Sequence, residues 1–347
     1  MKKIAIVFPK DSEAFFNENS SETFGGATAQ LYLIAKELYN YKNIKTYAII
    51  NDYREIKFKD ENKFHLVSTF KDSDTLFSKI WKFHKQISKI KPDYIIQRGL
   101  TIFSCLLSIY CKFFRINFIF MFAHDREISG RYQASNSKSM LFPLLLKFSK
   151  LLITQSGYQM EALPNAVQSK VKIIRSGHVI EEKITTKKNH ILWVGRLEPW
   201  KRPEVVIELA KKFPEHKFVV IAPIVNGYDK YGKSVAQECM TVDNIDYIPF
   251  VKFEQINDYF KNAKVFINTS FEEGFPNTFV QAWLREVPVV SLNIDPDDIL
   301  LREKIGFHSK TFDKLVGDVS TLVENLALRE EMGKKARCYA EKNHTID

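Results

Sequence analysis

Short apolar runs that resemble strands alternate with longer amphipathic stretches along the whole chain. This alternation predicts an α/β fold with parallel sheets, because parallel neighbours need a crossover, usually a helix, between them. In the first half, the predicted strands are Lys3–Phe8, Lys45–Ile50, His65–Thr69, Asp93–Gln97, Asn117–Phe122, Leu151–Gln155 and Val171–Arg175. The predicted helices between them include Ala27–Tyr39, Leu76–Ile90, Thr101–Phe114 and Ser139–Phe148.

A second series of strands begins at His190–Gly195 and repeats the pattern. Its further strands are predicted at Lys217–Ala222, Ile245–Ile248, Val265–Thr269 and Pro288–Leu292, followed by one or two helices at 315–344. Between the two series, the polar segment Ile180–Asn189 has no clear periodicity, which is typical of a linker. We therefore expect two doubly wound, Rossmann-like domains, residues 1–184 and 185–347, whose parallel sheets face each other across a ligand-binding cleft.

The net charge of +10 is concentrated in the first half. Residues 1–185 hold 28 lysines and arginines against 17 aspartates and glutamates, whereas residues 186–347 hold 23 against 24. One interpretation is a solvated, lysine-rich surface, and the other is attraction to an anionic membrane face or an anionic acceptor. The basic residues are scattered and form no recognised nucleic-acid motif, so we do not expect nucleic acid as a partner.

Two apolar stretches do not have the pattern of membrane segments. Residues 4–8 are too few for the core of a signal peptide, and residues 100–123 are interrupted by Lys112 and Arg115. The four cysteines have no metal-ligand spacing and are typical of reduced thiols. We expect a cytoplasmic protein, with the inner face of the cell membrane as a candidate docking surface.

The run Ser270–Trp283 places an acidic, glycine-containing turn between a predicted strand and a predicted helix. Open parallel sheets bind anionic ligands at such positions, beside a helix N-terminus. Glu273 can accept hydrogen bonds from two adjacent sugar hydroxyls, whereas Glu272 is better explained as a charge that complements the helix dipole. Gln281, about two helical turns after Glu273, is placed to bond a ribose hydroxyl. The predicted contacts of the turn itself, partly through backbone amides, are Gly274, Phe275, Pro276, Asn277 and Thr278.

A second loop, Gly195–Pro203, follows the first strand of the second domain and precedes a helix. Arg196 and Lys201 supply about the two cations that a diphosphate needs. Pro203 suits the first turn of the helix, where no N–H group is required. The alternative is that these cations are ordinary surface charges.

The first domain has weaker candidates at the carboxyl ends of its predicted strands. Gly25 and Gly26 open a helix and would let backbone N–H groups approach a phosphate, although an ordinary loop is an alternative. His124 and Asp125 could orient a sugar hydroxyl or a reacting centre, and Arg98 points to the same cleft by the same logic. The alternative for His124 is a structural histidine.

Several catalytic motifs are missing from the sequence. It has no P-loop, no GxSxG and no HExxH, and no paired aspartate suited to a metal–diphosphate site. The acidic cluster Asp295–Asp298 is interpreted as a turn and helix cap. We therefore expect no metal and no bound cofactor.

These motifs resemble those of retaining glycosyltransferases with the GT-B fold, specifically glycosyltransferase family 4 (glycosyl transferases group 1). The specific matches are Val194–Pro203 and Ser270–Ala282, and the weaker ones lie at Gly25-Gly26 and His124-Asp125. The resemblance implies a nucleotide-diphosphate sugar as co-substrate, held mainly by the second domain. It also implies transfer with retention, by front-face attack in which the leaving phosphate helps to take the acceptor's proton.

The resemblance assigns roles to individual residues. Arg196 and Lys201 would hold the diphosphate, Glu273 would contact the donor sugar, and the loop after it would supply amides. Gly26 would approach the donor phosphates, and His124 would lie near the transferred sugar. The chain departs from the family at Gln281, where the family usually has Glu, which weakens or alters the nucleotide contact.

The acceptor is expected against the first domain. Lysines at 79, 82, 85 and 89 interleave with Phe77, Trp81 and Phe83, which suits a helix at a membrane surface, although core packing of these aromatics is the alternative. We expect a glycan or glycolipid acceptor, such as a lipid-linked sugar or a growing surface polysaccharide. Two alternative functions stay open: a nucleotide-sugar epimerase of GT-B fold, and a non-catalytic protein that binds nucleotide sugars or polyanions.

Overall fold

The computed structural model describes residues 1–20, 22–53, 64–128, 136–182 and 187–346. The chain divides into two compact units, one formed by Met1–Gly177 with Ile346 and the other by His178–Thr345. The predicted boundary between residues 184 and 185 lies outside the described residues. Residues 178–182 belong to the second unit because the His178 amide donates to the His344 carbonyl at 2.8 Å, and Glu181 pairs with Arg285 at 2.8 Å.

The described part of the first unit contains a seven-stranded parallel sheet in the order β3-β2-β1-β4-β5-β6-β7. Its strands are β1 (Lys2–Val7), β2 (Ile44–Ile50), β3 (His65–Ser68), β4 (Tyr94–Arg98), β5 (Asn117–Met121), β6 (Leu151–Thr154) and β7 (Val171–Ile173). The strand order reverses beside β1, so the first unit has the switch point at which doubly wound sheets bind ligands.

Helices connect these strands. They are α1 (Glu13–Phe16), α2 (Gly26–Asn40), α3 (Leu76–Ile90), α4 (Ile102–Phe113), α5 (Asn136–Phe148), α6 (Gly157–Glu161) and α7 (Asn165–Gln168). Thr75 caps the start of helix α3, since its hydroxyl accepts a hydrogen bond from the Ser78 amide at 3.3 Å. Its buried residues recur at helical spacing, Phe83, Ile87 and Ile90, and pack on a core shared with β4, β5, α4 and α5.

The second unit repeats this plan with a six-stranded parallel sheet in its described residues, in the order β10-β9-β8-β11-β12-β13. The strands are β8 (His190–Val194), β9 (Phe218–Ile221), β10 (Ile245–Ile248), β11 (Ala263–Asn268), β12 (Val289–Ser291) and β13 (Gly306–His308). The helices are α8 (Pro203–Lys212), α9 (Asp229–Met240), α10 (Ile256–Lys261), α11 (Asn277–Trp283), α12 (Ile299–Arg302), α13 (Phe312–Glu324) and α14 (Leu326–Asn343).

The sheet of the second unit is buried on both faces. Along β8, Ile191 and Trp193 face one apolar cluster, and Leu192 faces the other. Such two-sided burial explains why the strands of this unit read as continuous apolar runs rather than as an alternating pattern.

Every predicted strand overlaps an observed strand, and the predicted terminal helices are confirmed as α13 and α14. The prediction missed β13, a three-residue strand that begins with a glycine. The cap predicted for Asp295 is confirmed, since its carboxylate accepts from the Leu300 amide at 2.8 Å, at the start of α12. Within the described ranges, no helix combines the length and apolar character needed to cross a membrane.

Gly306→Ala tests the tight pairing of β12 with β13. A Cβ at Gly306 would lie 2.2 Å from the Val289 carbonyl oxygen, so the strands must separate, and we expect a loss of about 1–3 kcal/mol in the free energy of unfolding. Urea unfolding followed by tryptophan fluorescence measures it. The control is Gly317→Ala in α13, where a Cβ meets nothing within 4 Å and the helix should gain up to about 1 kcal/mol. Equal stability of the two variants would contradict the prediction.

Candidate active site

Two loops meet at the carboxyl edge of the second unit's sheet, because β8 and β11 are parallel neighbours. The Trp193 indole donates to the Thr269 hydroxyl at 2.9 Å, and that hydroxyl donates to the Lys201 carbonyl at 2.6 Å. The Phe271 amide also donates to the Trp200 carbonyl at 2.7 Å. These bonds join the loop after β8 to the loop after β11.

The loop after β8 is shaped by two backbone constraints. A Cβ at Gly195 would lie 2.9 Å from the Trp193 ring, so this position has no room for a side chain. Arg202 has a left-handed φ of 51°, which turns the chain into α8, and Pro203 is the first residue of that helix, as predicted. Lys201 therefore lies at a sharp corner that faces the second loop.

Lys201 and Glu273 form an ion pair in this corner. The Lys201 ammonium contacts Glu273 Oε1, and the same oxygen accepts from the Ser270 hydroxyl at 2.7 Å. The two charged side chains are 20% and 13% exposed, so water screens the pair only partly. The two residues that the sequence most strongly predicts for the site are thus in direct contact.

Arg196 forms a second ion pair, with a carboxylate that the sequence analysis missed. Its guanidinium lies 3.1 Å from Glu198 Oε1, and Glu198 is 5% exposed. Burial raises the pKa of Glu198, while Arg196 and Lys201 lower it and Glu273 raises it. The site thus contains two cations and two carboxylates. The only signal for Glu198 in the sequence is its position two residues after Arg196.

A buried polar chain holds Ser270 in place. The Asn268 side-chain amide donates to the Ser270 hydroxyl at 3.3 Å, and the Ser291 hydroxyl donates to the Asn268 side-chain oxygen at 3.3 Å. All three residues are buried. This chain orients the Ser270 hydroxyl toward Glu273, and nothing in the sequence spacing indicated it.

The turn predicted to bind a donor leads directly into α11. Gly274, Phe275 and Pro276 are buried, and the Phe275 ring packs against His344 at 4.9 Å between centroids. Any contact of Phe275 with a ligand would therefore use its backbone. Asn277 and Thr278 are the first two residues of α11.

Gln281 is bound within the unit. It is 8% exposed, and its side-chain amide donates to Asn257 Oδ1 at 3.3 Å. The backbone carbonyl of Gln281 accepts a hydrogen bond from the Arg285 guanidinium at 3.1 Å. A ribose contact at Gln281 would have to share or replace the bond to Asn257.

In the first unit, the N-terminus of α2 is bonded to a carboxylate. The Gly25 amide donates to Asp11 Oδ2 at 2.7 Å, and the Thr28 hydroxyl donates to Asp11 Oδ1 at 2.5 Å. Gly26 is the first residue of the helix. The position predicted for a phosphate therefore holds the side chain of Asp11, which the sequence analysis did not identify.

His124 and Asp125 follow β5 and are partly exposed. His124 Nδ1 accepts from the Arg126 amide at 3.2 Å and so caps a short 3₁₀ turn. This bond assigns the proton of a neutral ring to Nε2. Asp125 accepts from Gln159 at 2.8 Å, so its carboxylate is fixed by α6.

Arg98 ends β4 and is 6% exposed, and its Nε has no hydrogen-bond partner among the described residues. Burial lowers the pKa of Arg98 to about 10, which still leaves it charged at neutral pH, and the nearby Glu127 opposes the shift. Glu127 accepts from the amides of Leu100 and Ala123, each at 2.9 Å, and burial raises its pKa to about 7. Glu127, a residue that the sequence analysis missed, thus ties the loops after β4 and β5 together beside a buried cation.

Residues 178–338 match the family model described as glycosyl transferases group 1. The chain is similar to a D-inositol 3-phosphate glycosyltransferase of Streptomyces scabiei, with 25% identity over 167 aligned positions that cover 43% of this chain and 37% of that protein. The match thus spans little more than a third of that curated relative.

Solved structures are similar over nearly the whole chain. Sucrose-phosphate synthase from Thermosynechococcus elongatus has a TM-score of 0.81 at 14% identity, covering 99% of this chain and 95% of that one. Anabaena HepE, solved in complex with UDP and glucose, has a TM-score of 0.79 at 16% identity, covering 99% and 96%. The chain has the GT-B fold. The predicted resemblance to GT-B glycosyltransferases is confirmed, and both ion pairs lie in the part that matches the glycosyl transferases group 1 model.

Two buried histidines are expected to make the stability of the second unit depend on pH. Burial lowers the pKa of His178 to about 3 and that of His190 to about 4, so the unfolded chain binds more protons between those values and about 6.5. Stability should be fully present above pH 6.5 and fall as the pH drops, by up to about 1.4 kcal/mol per pH unit for each histidine. Urea unfolding followed by tryptophan fluorescence between pH 8 and 5 measures this slope.

The test variant is His178→Gln, which should flatten the slope because it removes a buried imidazole. An unchanged slope in His178→Gln would contradict the assignment of proton uptake to His178.

Proposed function

We propose that the protein is a retaining glycosyltransferase that moves a sugar from a nucleotide-diphosphate sugar to a hydroxyl group of an acceptor. The observation that carries this proposal is the contact of Lys201 with Glu273 beside Arg196, at the carboxyl edge of a sheet and within the matched family region. The coarser part, transfer of a sugar from a nucleotide donor, is supported by the family description and by the likeness to GT-B structures.

In this proposal, Arg196 and Lys201 stabilise the departing diphosphate. The bond between the sugar's anomeric carbon and the diphosphate oxygen breaks, and its electron pair stays with the diphosphate. The acceptor hydroxyl attacks from the same face and passes its proton to a phosphate oxygen. The chain then contributes positioning and fixed charge rather than a general base.

Glu273 is assigned to the donor sugar. Its carboxylate can accept hydrogen bonds from sugar hydroxyls, while Ser270 and Lys201 hold Oε1 and fix its orientation. A diphosphate that approaches Lys201 competes with Glu273 for the ammonium, so donor binding rearranges this ion pair.

In the first unit, we assign His124 to the transferred sugar and Asp125 and Arg98 to the acceptor side. The capping bond leaves His124 with an Nε2–H that can donate to a sugar oxygen. The buried cation at Arg98 suits an acceptor that carries a negative charge.

Lys201→Ala and Glu273→Ala test the site. Each should lower turnover by about 100-fold or more, since one charged contact with the transition state is worth about 3 kcal/mol. The measurement is release of nucleoside diphosphate from a panel of UDP-, GDP- and ADP-sugars, with and without hydroxyl acceptors. Lys211→Ala is the control, because Lys211 is exposed and pairs with Glu238 at the surface.

Near-normal turnover in both variants would overturn the site assignment. Conversion of the nucleotide sugar without any acceptor would favour the GT-B epimerase instead. Binding of nucleotide sugars without turnover in any combination would favour a non-catalytic binding protein. Thermal unfolding of each variant shows whether a loss of turnover reflects a loss of the fold.

The acceptor class is proposed from the outer face of α3. Phe77 and Trp81 are 81% and 54% exposed, whereas Phe83 lies in the core at 3%. Leu76 and Ile80 are exposed beside them, at 63% and 46%. Core packing is therefore excluded for the first two aromatics.

Lysines border this apolar face. The Lys85 ammonium lies 5.1 Å from the centre of the Trp81 ring, and Lys79 lies on the same helix. Aromatic and basic side chains together suit an anionic bilayer surface. We therefore propose a lipid-linked sugar or surface polysaccharide as acceptor, reached from the inner face of the membrane.

Vesicle flotation tests this surface. The protein should float with vesicles that contain anionic lipid at low salt and less at high salt, because the lysines act by long-range attraction. The double variant Phe77→Ser/Trp81→Ser should lose most of this binding. Phe113→Ser, which removes a 79% exposed aromatic from the end of α4, should keep it. Flotation that survives the double variant would exclude α3 as the docking surface.

A further inference from the structure

A charged cavity lies at the amino edge of the second unit's sheet. It has a volume of about 410 Å³, and its walls come from residues just before β8, the end of α10, the turn after α11 and the first half of α14. The two edges of a parallel sheet carry opposite ends of its strands. The cavity is therefore separated from the Lys201–Glu273 contact by the length of the strands.

The inner cations of this cavity are bound to the protein itself. The Lys188 ammonium donates to the carbonyls of Ala263 at 3.2 Å and Arg285 at 3.0 Å. Arg337 donates to the Leu284 carbonyl at 3.1 Å. These side chains hold the turn after α11 in place and form a rigid floor.

Three cations of the lining form no ion pair within the described residues. They are Lys187, Arg329 and Lys334, and burial lowers the pKa of Arg329 while the nearby Glu330 opposes that shift. Arg329 is 8% exposed and donates to the carbonyls of Leu322 and Val323, at 2.7 and 3.1 Å. Its Nε, like that of Arg285, is buried without a hydrogen-bond partner among the described residues.

The charge of the lining is unbalanced. Seven of the lining residues are lysine or arginine, and four are glutamate. The excess of positive charge favours an anionic ligand. Phosphate oxygens match the fork of a guanidinium better than other common anions do.

We propose that this cavity binds a phosphorylated small molecule, at a site separate from the candidate active site. Its volume lies in the range of small-molecule sites and exceeds the needs of one inorganic phosphate, so the ligand carries linked phosphates or an organic group. In this proposal, Lys187 and Lys334 supply the positive charge that binds the ligand's phosphates. The proposal does not depend on the glycosyltransferase function.

The test uses inorganic pyrophosphate as probe and the full chain, with binding measured by titration calorimetry at low and high salt. Cations at the candidate active site could also hold pyrophosphate, so the titration is repeated with Lys201→Ala. Saturable binding should persist in Lys201→Ala and should weaken at least about tenfold in the double variant Lys187→Gln/Lys334→Gln. Higher salt should weaken pyrophosphate binding further.

Lys335→Gln is the matched control, since Lys335 is the next residue on α14, pairs with Glu331 and does not line the cavity. It should bind pyrophosphate as the unmodified protein does. Unchanged affinity in the double variant, loss of binding in Lys201→Ala, or no saturable binding at millimolar pyrophosphate would each overturn the proposal. Thermal unfolding without ligand confirms that the variants are folded.

Discussion

The candidate active site depends on the parallel pairing of β8 with β11. This pairing brings Trp193 beside Ile267, and the indole then bonds Thr269 at the end of β11. Two loops that are about seventy residues apart in the chain thereby share one hydrogen-bonded corner. This register brings Lys201 close to Glu273, because the loop after β8 contains only one 3₁₀ turn, Pro199–Lys201, and the turn after β11 contains no helix or strand before α11.

The charges in this corner are balanced inside the protein. Each cation faces one carboxylate, and burial raises the pKa of Glu198. An anionic ligand that enters the site must therefore displace a carboxylate from its cation. Such an exchange favours ligands that also offer hydroxyl groups to the displaced carboxylate, and it discriminates against simple anions.

Much of the fold could be predicted from the sequence, because the strands of both units are short apolar runs and the helices have clear apolar spacing. The loops Gly195–Pro203 and Ser270–Trp283 could be placed for the same reason, since each directly follows a predicted strand. The partners of the charged residues could not be predicted. Glu198 acquires its role through burial beside Arg196, and Asp11 and Glu127 acquire theirs through bonds to backbone amides that are distant in the sequence. The sequence did not predict β13, because a strand of three residues is too short to show a periodic pattern.

The Asp11 carboxylate binds the start of α2, so any anion that binds there must compete with this side chain. An anion that uses the Gly25 amide must first displace the carboxylate of Asp11, which lies 14 residues earlier in the chain and 2.7 Å from that nitrogen. A tethered group acts at an effective concentration that can reach the millimolar range, so the ligand's apparent affinity falls by the fraction of time the amide is exposed. An anion that binds the Gly25 amide would therefore have a lower apparent affinity than it would have without the Asp11 carboxylate.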